Sequence, residues 1–264
     1  MSNESTAVSK RLKRTQEQAA IQEGGSKTSL ILTRVVDEVA VPLDDSSAIC
    51  QRLLEGAGAK LSPEQRKSIE VVAGSVAAAA RRLRDYVDLL RFEGNELVLR
   101  PKSLNLEEVI QQVARAQKAA ARAKGLGLVV EPALRTLPQV TADPARLSQV
   151  LSDLVTNAIK FTERGQVIIS TELYDRSVAI HVVDTGVGIP VAQLPHLFDD
   201  FYQGDGTHGK EAKGCGLGLT LSRRLVVRMG GDLWATSTVG AGSKFSFTVP
   251  RSPETSAPSR LVTA

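Results

Sequence analysis

The sequence predicts an α+β protein in two parts, a helical hairpin followed by a sheet that helices cover on one face. Two observations predict this fold class. Over residues 28–93, apolar residues recur at spacings of four and three, a pattern typical of helices with one apolar stripe. Over residues 106–251, helical patterns alternate with segments of period two, which indicate half-buried strands in an α/β sandwich.

Composition and charge exclude several classes of protein. The chain has 264 residues, 42% of them hydrophobic, and a formal net charge of +4. Basic residues form no block interleaved with aromatics, so we expect no nucleic-acid partner. No apolar run is long enough for a signal peptide or a membrane span, so we expect a cytoplasmic protein without membrane contact. Cys50 and Cys215 have no His partners at metal spacing, which argues against a disulfide framework or a zinc site.

The hairpin is bounded by polar segments. Residues 1–27 and 252–264 are predicted to be disordered tails. The apolar stripe of the first helix comprises Leu32, Val36, Val39, Leu43, Ser46, Cys50 and Leu53. Ser62-Pro63 is typical of an N-cap followed by proline at the first helical position. The stripe of the second helix comprises Ile69, Val72, Val76, Ala79, Leu83, Tyr86 and Leu90. One hairpin cannot bury both stripes, so we expect a homodimer through residues 28–93, joined as a four-helix bundle.

The second part follows a linker predicted over residues 94–105. Its predicted helices are Leu106–Ala123, Asp143–Lys160 and Leu217–Met229. Its predicted strands are Leu126–Glu131, Gln166–Leu173, Val178–Val183, Asp232–Ser237 and Lys244–Val249.

Three polar residues of the second of these helices share one face. Asp153, Asn157 and Lys160 stand at i, i+4 and i+7. Carboxylate and carboxamide oxygens suit Mg²⁺, and a lysine offsets phosphate charge. Taken alone, this motif is better explained as a solvated helix face.

Two glycine-rich turns flank an aromatic segment. Asp184-Thr-Gly186-Val-Gly188 follows an apolar strand, and its carboxylate can accept hydrogen bonds from an exocyclic amine such as that of adenine. Leu197–Gln203 is apolar and aromatic. The later turn, with Gly214, Gly216 and Gly218, opens a helix whose free N–H groups suit phosphate oxygens. Turn and cap geometry alone would also explain each of these glycine runs.

In their order and spacing, these four segments resemble the N, G1, F and G2 boxes of histidine kinases. The resemblance covers residues 106–250 and, more loosely, the hairpin. It implies ATP and Mg²⁺ as cofactors, with Asn157 holding the metal, Lys160 contacting phosphate and Asp184 binding adenine. Residues 202–213 would form the ATP lid. The cofactor-binding residues that it implies are Asn157, Lys160, Phe161, Asp184, Gly186, Gly188, Gly214, Gly216, Leu217, Gly218 and Thr248.

The hairpin departs from the family at its reactive position. The segment around Asp37-Glu38 and Pro42 resembles an H box, but Asp37 stands where the family carries its phosphoacceptor histidine. Val41 replaces the Thr or Asn associated with phosphatase activity, and an apolar side chain cannot orient water. The three histidines of the chain, His181, His196 and His208, all lie in the second part, where structural roles are expected. Autophosphorylation on histidine is therefore not expected, and Asp37 as acceptor would have only Glu38 adjacent.

The candidate catalytic positions are Asp37, Glu38 and Asp153. Asp153 stands where the family usually has Asn, which suggests either slow ATP hydrolysis or Mg²⁺ binding through water. The leading hypothesis is an ATP-binding pseudokinase that docks a response-regulator receiver domain or another kinase. The alternatives are an active kinase that phosphorylates a partner in trans, and a slow ATPase or serine-kinase-like regulator. A near match to a P-loop at 204–211 lacks both the hydroxyl residue and the preceding strand.

Overall fold

The computed structural model describes residues 34–56, 61–131, 136–203 and 216–253. The chain divides into two units, Met1–Val98 and Leu99–Ala264. The tail predicted over 1–27 lies outside the described residues, as does most of the tail predicted over 252–264. None of the helices in the described ranges is long and apolar enough to cross a membrane.

The first unit contains the predicted helical hairpin. Helix α1 spans Val41–Leu54 and helix α2 spans Pro63–Glu93. The start of α2 is a capping box: the Ser62 hydroxyl accepts the N–H of Gln65 at 3.2 Å, and the Gln65 carboxamide accepts the N–H of Ser62 at 2.9 Å. The N-cap predicted from Ser62-Pro63 is confirmed.

A π-helical turn, Val36–Ala40, leads into α1. The N–H of Val41 donates to the carbonyl of Val36, five residues earlier. Pro42 follows, and a proline ring within a helix clashes with the carbonyl four residues before it and offers no N–H. The wider π turn accommodates that ring, a feature that a uniform heptad pattern does not predict.

Asn95 ends α2 in a left-handed conformation with φ 54°. The N–H of Glu96 donates to Arg91 at 2.8 Å and the N–H of Asn95 donates to Phe92 at 3.0 Å. This is the Schellman arrangement, in which the residue after the C-cap adopts positive φ. Asn95 rather than Gly94 takes that conformation.

The second unit is built on a five-stranded sheet in the order β2-β4-β5-β7-β6. The strands are β2 Gly127–Val130, β4 Gln166–Leu173, β5 Ser177–Asp184, β6 Leu233–Thr238 and β7 Gly242–Pro250. The helices are α3 Leu106–Ala123, α4 Pro144–Phe161 and α5 Gly218–Arg228. Fully buried side chains of both layers form the core, among them Leu147, Leu151, Leu154, Ile169, Ile180, Leu221, Leu225 and Phe247. The mixed helix-and-sheet architecture confirms the predicted fold class.

A second, two-stranded sheet was not predicted. β1, Lys102–Leu104, pairs antiparallel with β3, Val140–Ala142. β1 lies inside the predicted linker 94–105, so the second unit begins before residue 106. Ser252, which was assigned to the tail, donates its N–H to Gln139 at 2.8 Å and bonds the Thr141 hydroxyl at 3.0 Å. The fold therefore extends past residue 251.

Candidate functional site

Asp184 ends β5 with its side chain 5% exposed. Its Oδ1 accepts the N–H of Gly186 at 2.8 Å and that of Ser243 at 3.3 Å. The pKa of this carboxyl is raised, because the effect of burial exceeds the opposing effect of the two N–H donors. Oδ2 has no hydrogen-bond partner among the described residues. The carboxylate is thus fixed by one oxygen, while the other stays available to accept an N–H from a ligand.

The turn after Asp184 is tightly packed against backbone. A Cβ on Gly186 would lie 2.5 Å from the carbonyl oxygen of Phe161, and one on Gly188, at φ 71°, would lie 2.1 Å from that of Thr238. Gly242, which the sequence analysis did not single out, has φ 107° and would place a Cβ 1.9 Å from the Asp184 carbonyl oxygen. These three glycines are therefore required by the close approach of neighbouring main chains.

Helix α4 presents the predicted polar stripe. Asp143 caps its N-terminus, accepting the N–H groups of Ala145 and Arg146 at 3.0 and 3.2 Å. Asp153, Asn157 and Lys160 lie on its half-buried side, away from the buried core side. The carboxamide of Asn157 has no hydrogen-bond partner within the described ranges. An amide oxygen placed in this way suits a hard cation.

The C-terminal end of α4 carries Lys160 and Phe161. The Lys160 ammonium lies 4.9 Å from the centroid of the Phe161 ring, in cation–π geometry. Phe161 is 40% exposed as a residue. Because a core aromatic would be buried, this ring offers its surface to solvent or to a planar ligand.

The end of α4 meets the turn that follows Asp184. The carbonyl oxygen of Phe161 accepts the N–H of Val187 at 3.4 Å. Thr162 closes the helix by donating its hydroxyl to the Ala158 carbonyl at 2.7 Å. The structure therefore brings two of the predicted motifs together at adjoining ends of α4 and β5.

Thr248 does not join this site. In the β5–β7 pairing Asp184 stands opposite Ser243, whereas Thr248 stands opposite Ala179, five residues away. At the usual rise of a strand this is a separation of about 16 Å. The Thr248 hydroxyl instead accepts the N–H of Asp232 at 2.9 Å. The assignment of Thr248 to the pocket is corrected: Ser243 is the hydroxyl residue of β7 beside Asp184.

Helix α5 holds the aromatic segment that precedes residue 204. The Thr220 hydroxyl donates to the Asp199 carbonyl at 2.9 Å. The Arg224 guanidinium donates to both carboxylate oxygens of Asp200, at 2.7 and 3.0 Å. These contacts anchor the turns that follow a 3₁₀ helix over Val191–His196.

The glycine-rich turn is described from residue 216 onward. Gly216 has φ 74°, and a Cβ there would lie 2.6 Å from the carbonyl carbon of Phe201. Leu217 is 1% exposed, so its side chain belongs to the core, and any contact with a ligand would have to come from its main chain. A Cβ on Gly218, the first residue of α5, would meet no atom of the described residues within 4 Å. Gly214, Cys215, His208 and most of the predicted lid 202–213 lie outside the described residues.

The two described histidines make local hydrogen bonds. His181 is buried, with Nδ1 2.8 Å from the Ser246 hydroxyl and Nε2 3.3 Å from a Glu172 carboxylate oxygen. Burial, followed by the nearby Lys244 ammonium, lowers the pKa of His181. His196 Nδ1 lies 2.9 Å from Asp199 Oδ2. These contacts agree with the structural roles expected.

Asp37, where the resemblance places the acceptor, lies with Glu38 in the π-helical turn Val36–Ala40. Val41 follows it at the start of α1 with 47% of its surface exposed. The segment that resembles the family's H box is thus helical here.

Comparison with known families decides the class of the second unit. Residues 142–253 match the family described as Histidine kinase-, DNA gyrase B-, and HSP90-like ATPase. The chain carries a histidine-kinase-type ATPase domain. The match begins at the last residue of β3 and ends just past β7, so this ATPase domain includes α4, Asp184 and the glycine-rich turn.

Curated relatives of the chain are sensor proteins. The aerobic respiration control sensor protein ArcB of Escherichia coli is 32% identical over 235 residues, which cover 88% of this chain and 30% of ArcB. The autoinducer 2 sensor kinase/phosphatase LuxQ of Vibrio cholerae is 31% identical over 242 residues, which cover 89% of this chain and 28% of LuxQ. The chain thus spans about a third or less of the length of these relatives.

Solved structures extend the likeness to both units. Full-length ShkA in complex with AMPPNP aligns with a TM-score of 0.64 at 29% identity, covering 84% of this chain and 46% of ShkA. The catalytic domain of the histidine kinase ThkA aligns with a TM-score of 0.51 at 29% identity, covering 58% of this chain and 99% of the ThkA domain. The histidine-kinase-type ATPase domain is therefore accompanied by an N-terminal region that has a structural counterpart in ShkA.

Proposed function

We propose that this chain is the dimeric, ATP-binding part of a two-component signalling protein that has lost histidine autophosphorylation and acts by docking a receiver domain or another kinase. The observation that carries the nucleotide assignment is Asp184. Its Oδ1 is held by two backbone donors while Oδ2 stays available, beside a turn that meets the end of α4. Such an acceptor suits the exocyclic amine of adenine. The AMPPNP bound to ShkA supports the same ligand class.

The residues of α4 fit the phosphate end of a nucleotide with its metal. Asn157 would supply an oxygen to Mg²⁺, and Lys160 would move from the Phe161 ring to phosphate. Asp153 lies one turn before Asn157 and would assist through water. Mg²⁺, when bound, neutralises phosphate charge. The exposed Phe161 ring would pack against the base.

The exposed apolar surface of the hairpin supports a homodimer through residues 28–93. Helix α1 has no buried residue in the isolated chain. Large apolar side chains exposed on the hairpin are Val39, Val41, Ile49, Leu53, Val71, Val72, Tyr86 and Leu90. A second copy of the hairpin would cover this surface in a four-helix bundle.

Loss of the acceptor supports a docking role. Asp37 lacks the imidazole nucleophile, and the exposed Val41 cannot orient water for dephosphorylation. The sequence of the turn carries Asp37 and Glu38 instead. We infer that this part of the hairpin contacts a partner without exchanging phosphate with it.

A labelling experiment tests the proposal. The intact chain is incubated with Mg²⁺ and γ-labelled ATP, alone and with candidate receiver domains, beside Asp37→His. We expect ATP binding without acid-labile label on the wild type, and some label on Asp37→His, because the imidazole restores the nucleophile. Label on the wild type would contradict the loss of autophosphorylation. Transfer to a receiver would favour the alternative of a kinase acting in trans.

A further inference from the structure

Lys124, at the end of α3, reaches across to the end of α4. Its ammonium donates to the carbonyl oxygens of Ile159 at 2.9 Å and Lys160 at 2.8 Å. These are among the last four carbonyls of α4, which have no helical N–H partner because the helix ends at Phe161. A cation at a helix C-terminus also lies at the negative end of the helix dipole.

The backbone that carries Lys124 is itself fixed. Lys124 is the C-cap of α3, and its N–H donates to Ala121. Gly125 follows with φ 69°, and the N–H of the buried Leu126 donates back to Ala121 at 3.0 Å. Strand β2 then pairs with β4. The main chain that carries Lys124 is therefore tied by hydrogen bonds to the end of α3 and followed directly by a paired strand.

Three successive carbonyls at the end of α4 are held from two directions. Lys124 binds those of Ile159 and Lys160, and the N–H of Val187 binds that of Phe161 at 3.4 Å. Lys160 and Phe161 carry the ammonium and the exposed ring assigned to the nucleotide. Main-chain movement here would displace both side chains and the turn after Asp184 together.

We propose that Lys124 is a positioning residue for the nucleotide site, which sets the end of α4 against the turn 184–188 without touching the ligand. This inference rests on the proposed nucleotide binding. Removing the ammonium leaves two carbonyls to be solvated by water and frees the last turn of α4 to shift. An arginine retains several donors and the charge, and would preserve the arrangement.

The test uses Lys124→Met in the intact chain, because methionine keeps an unbranched apolar stem and has no donor. We expect the Kd for Mg-ADP in calorimetry to rise about tenfold, as for the loss of a charged hydrogen-bonding group. Lys124→Arg should bind within about twofold of the wild type. Lys124→Gln keeps a neutral donor, so its Kd should lie between those of the methionine and arginine variants. It serves in place of Lys124→Met if that variant does not fold.

Two controls separate positioning from general stability. Lys118→Met removes an exposed lysine from the same helix. Asn105→Ala removes the N-cap of α3, whose carboxamide oxygen accepts the N–H of Glu107 at 3.0 Å, and should lower the unfolding temperature without changing the Kd.

Equal Kd values for Lys124→Met and Lys118→Met, with the wild type binding normally, would overturn the role of Lys124. A loss of affinity in Asn105→Ala equal to that in Lys124→Met would overturn it as well. A wild type that binds no Mg-ADP would instead overturn the proposed function.

Discussion

Asp85 is a buried carboxyl group in the middle of a helix, 7% exposed. Burial is the main cause that raises its pKa from 3.8 to about 6, and the adjacent carboxylate of Asp88 adds to the rise. The guanidinium groups of Arg81 and Arg84 act in the opposite direction. The folded hairpin therefore binds this proton more tightly than the unfolded chain does.

The raised pKa of Asp85 makes the free energy of unfolding of the hairpin depend on pH. The contribution of Asp85 to stability is fully present below pH 3.8 and is lost as pH rises to about 6. Asp85→Asn should abolish this slope and raise the free energy of unfolding at pH 7 by about 1–3 kcal/mol. Urea unfolding at pH 4.5 and 7.5, at one protomer concentration, measures the free energy of unfolding of each variant and its change with pH. Asp45→Asn, at an exposed position of α1, is the control, and an unchanged slope in Asp85→Asn would contradict the assignment.

Single-residue roles were predictable where local chemistry alone decides them. The cap at Ser62 and the turn that follows Asp184 are set by patterns that span a few residues. Thr248 was misassigned because only the pairing of β7 with β5 shows which hydroxyl lies beside Asp184. The side chain of Leu217 lies in the core, which glycine spacing alone does not show.

Long elements were predictable because their periodic patterns are long. Helix α3 and strand β4 have the predicted bounds, Leu106–Ala123 and Gln166–Leu173. The three-residue strands β1 and β3 were missed because so short a segment shows no period and forms only by pairing with a distant partner. The π turn was missed because it accommodates a proline within a helix, and the spacing of apolar residues does not reveal such a local widening.

The first residue of α5 offers a prediction at the scale of one element. No atom of the described part of the chain lies within 4 Å of the place where a Cβ on Gly218 would be, and the φ of Gly218 is not positive. Gly218→Ala should leave the fold intact or raise its stability by up to about 1 kcal/mol. If phosphate oxygens fill that space, the affinity for ATP should fall by about tenfold or more, as for the loss of a charged hydrogen bond.

Parallel thermal unfolding and calorimetric titration separate these two effects. Gly74→Ala in α2 is the matched control, since a Cβ there also meets nothing within 4 Å. It should gain stability similarly and keep its ATP affinity. Unchanged affinity in Gly218→Ala would show that the ligand does not approach the start of α5.

For the whole molecule, the exposed apolar surface of the hairpin predicts association. The intact chain should be a dimer at micromolar concentration, and residues 99–253, which retain β1, should be monomeric. Val72→Asp should shift the intact chain to monomer, because charge repels across a bundle core. Val227→Asp, on α5 and equally exposed, is the control. A monomeric wild type in light scattering would exclude the bundle.

The most direct test of the account is a calorimetric titration of Mg-ATP into wild type and Asp184→Asn. The asparagine keeps an oxygen for the N–H groups of Gly186 and Ser243, but turns an amide donor toward the ligand's amine. We expect the wild type to bind Mg-ATP and Asp184→Asn to lose about 1.5–3 kcal/mol of binding free energy, or about 10- to 150-fold in affinity. Asp175→Asn, at an exposed turn, should bind as the wild type does. Equal affinity in Asp184→Asn and the wild type, or a wild type that takes up no ATP, would contradict the account.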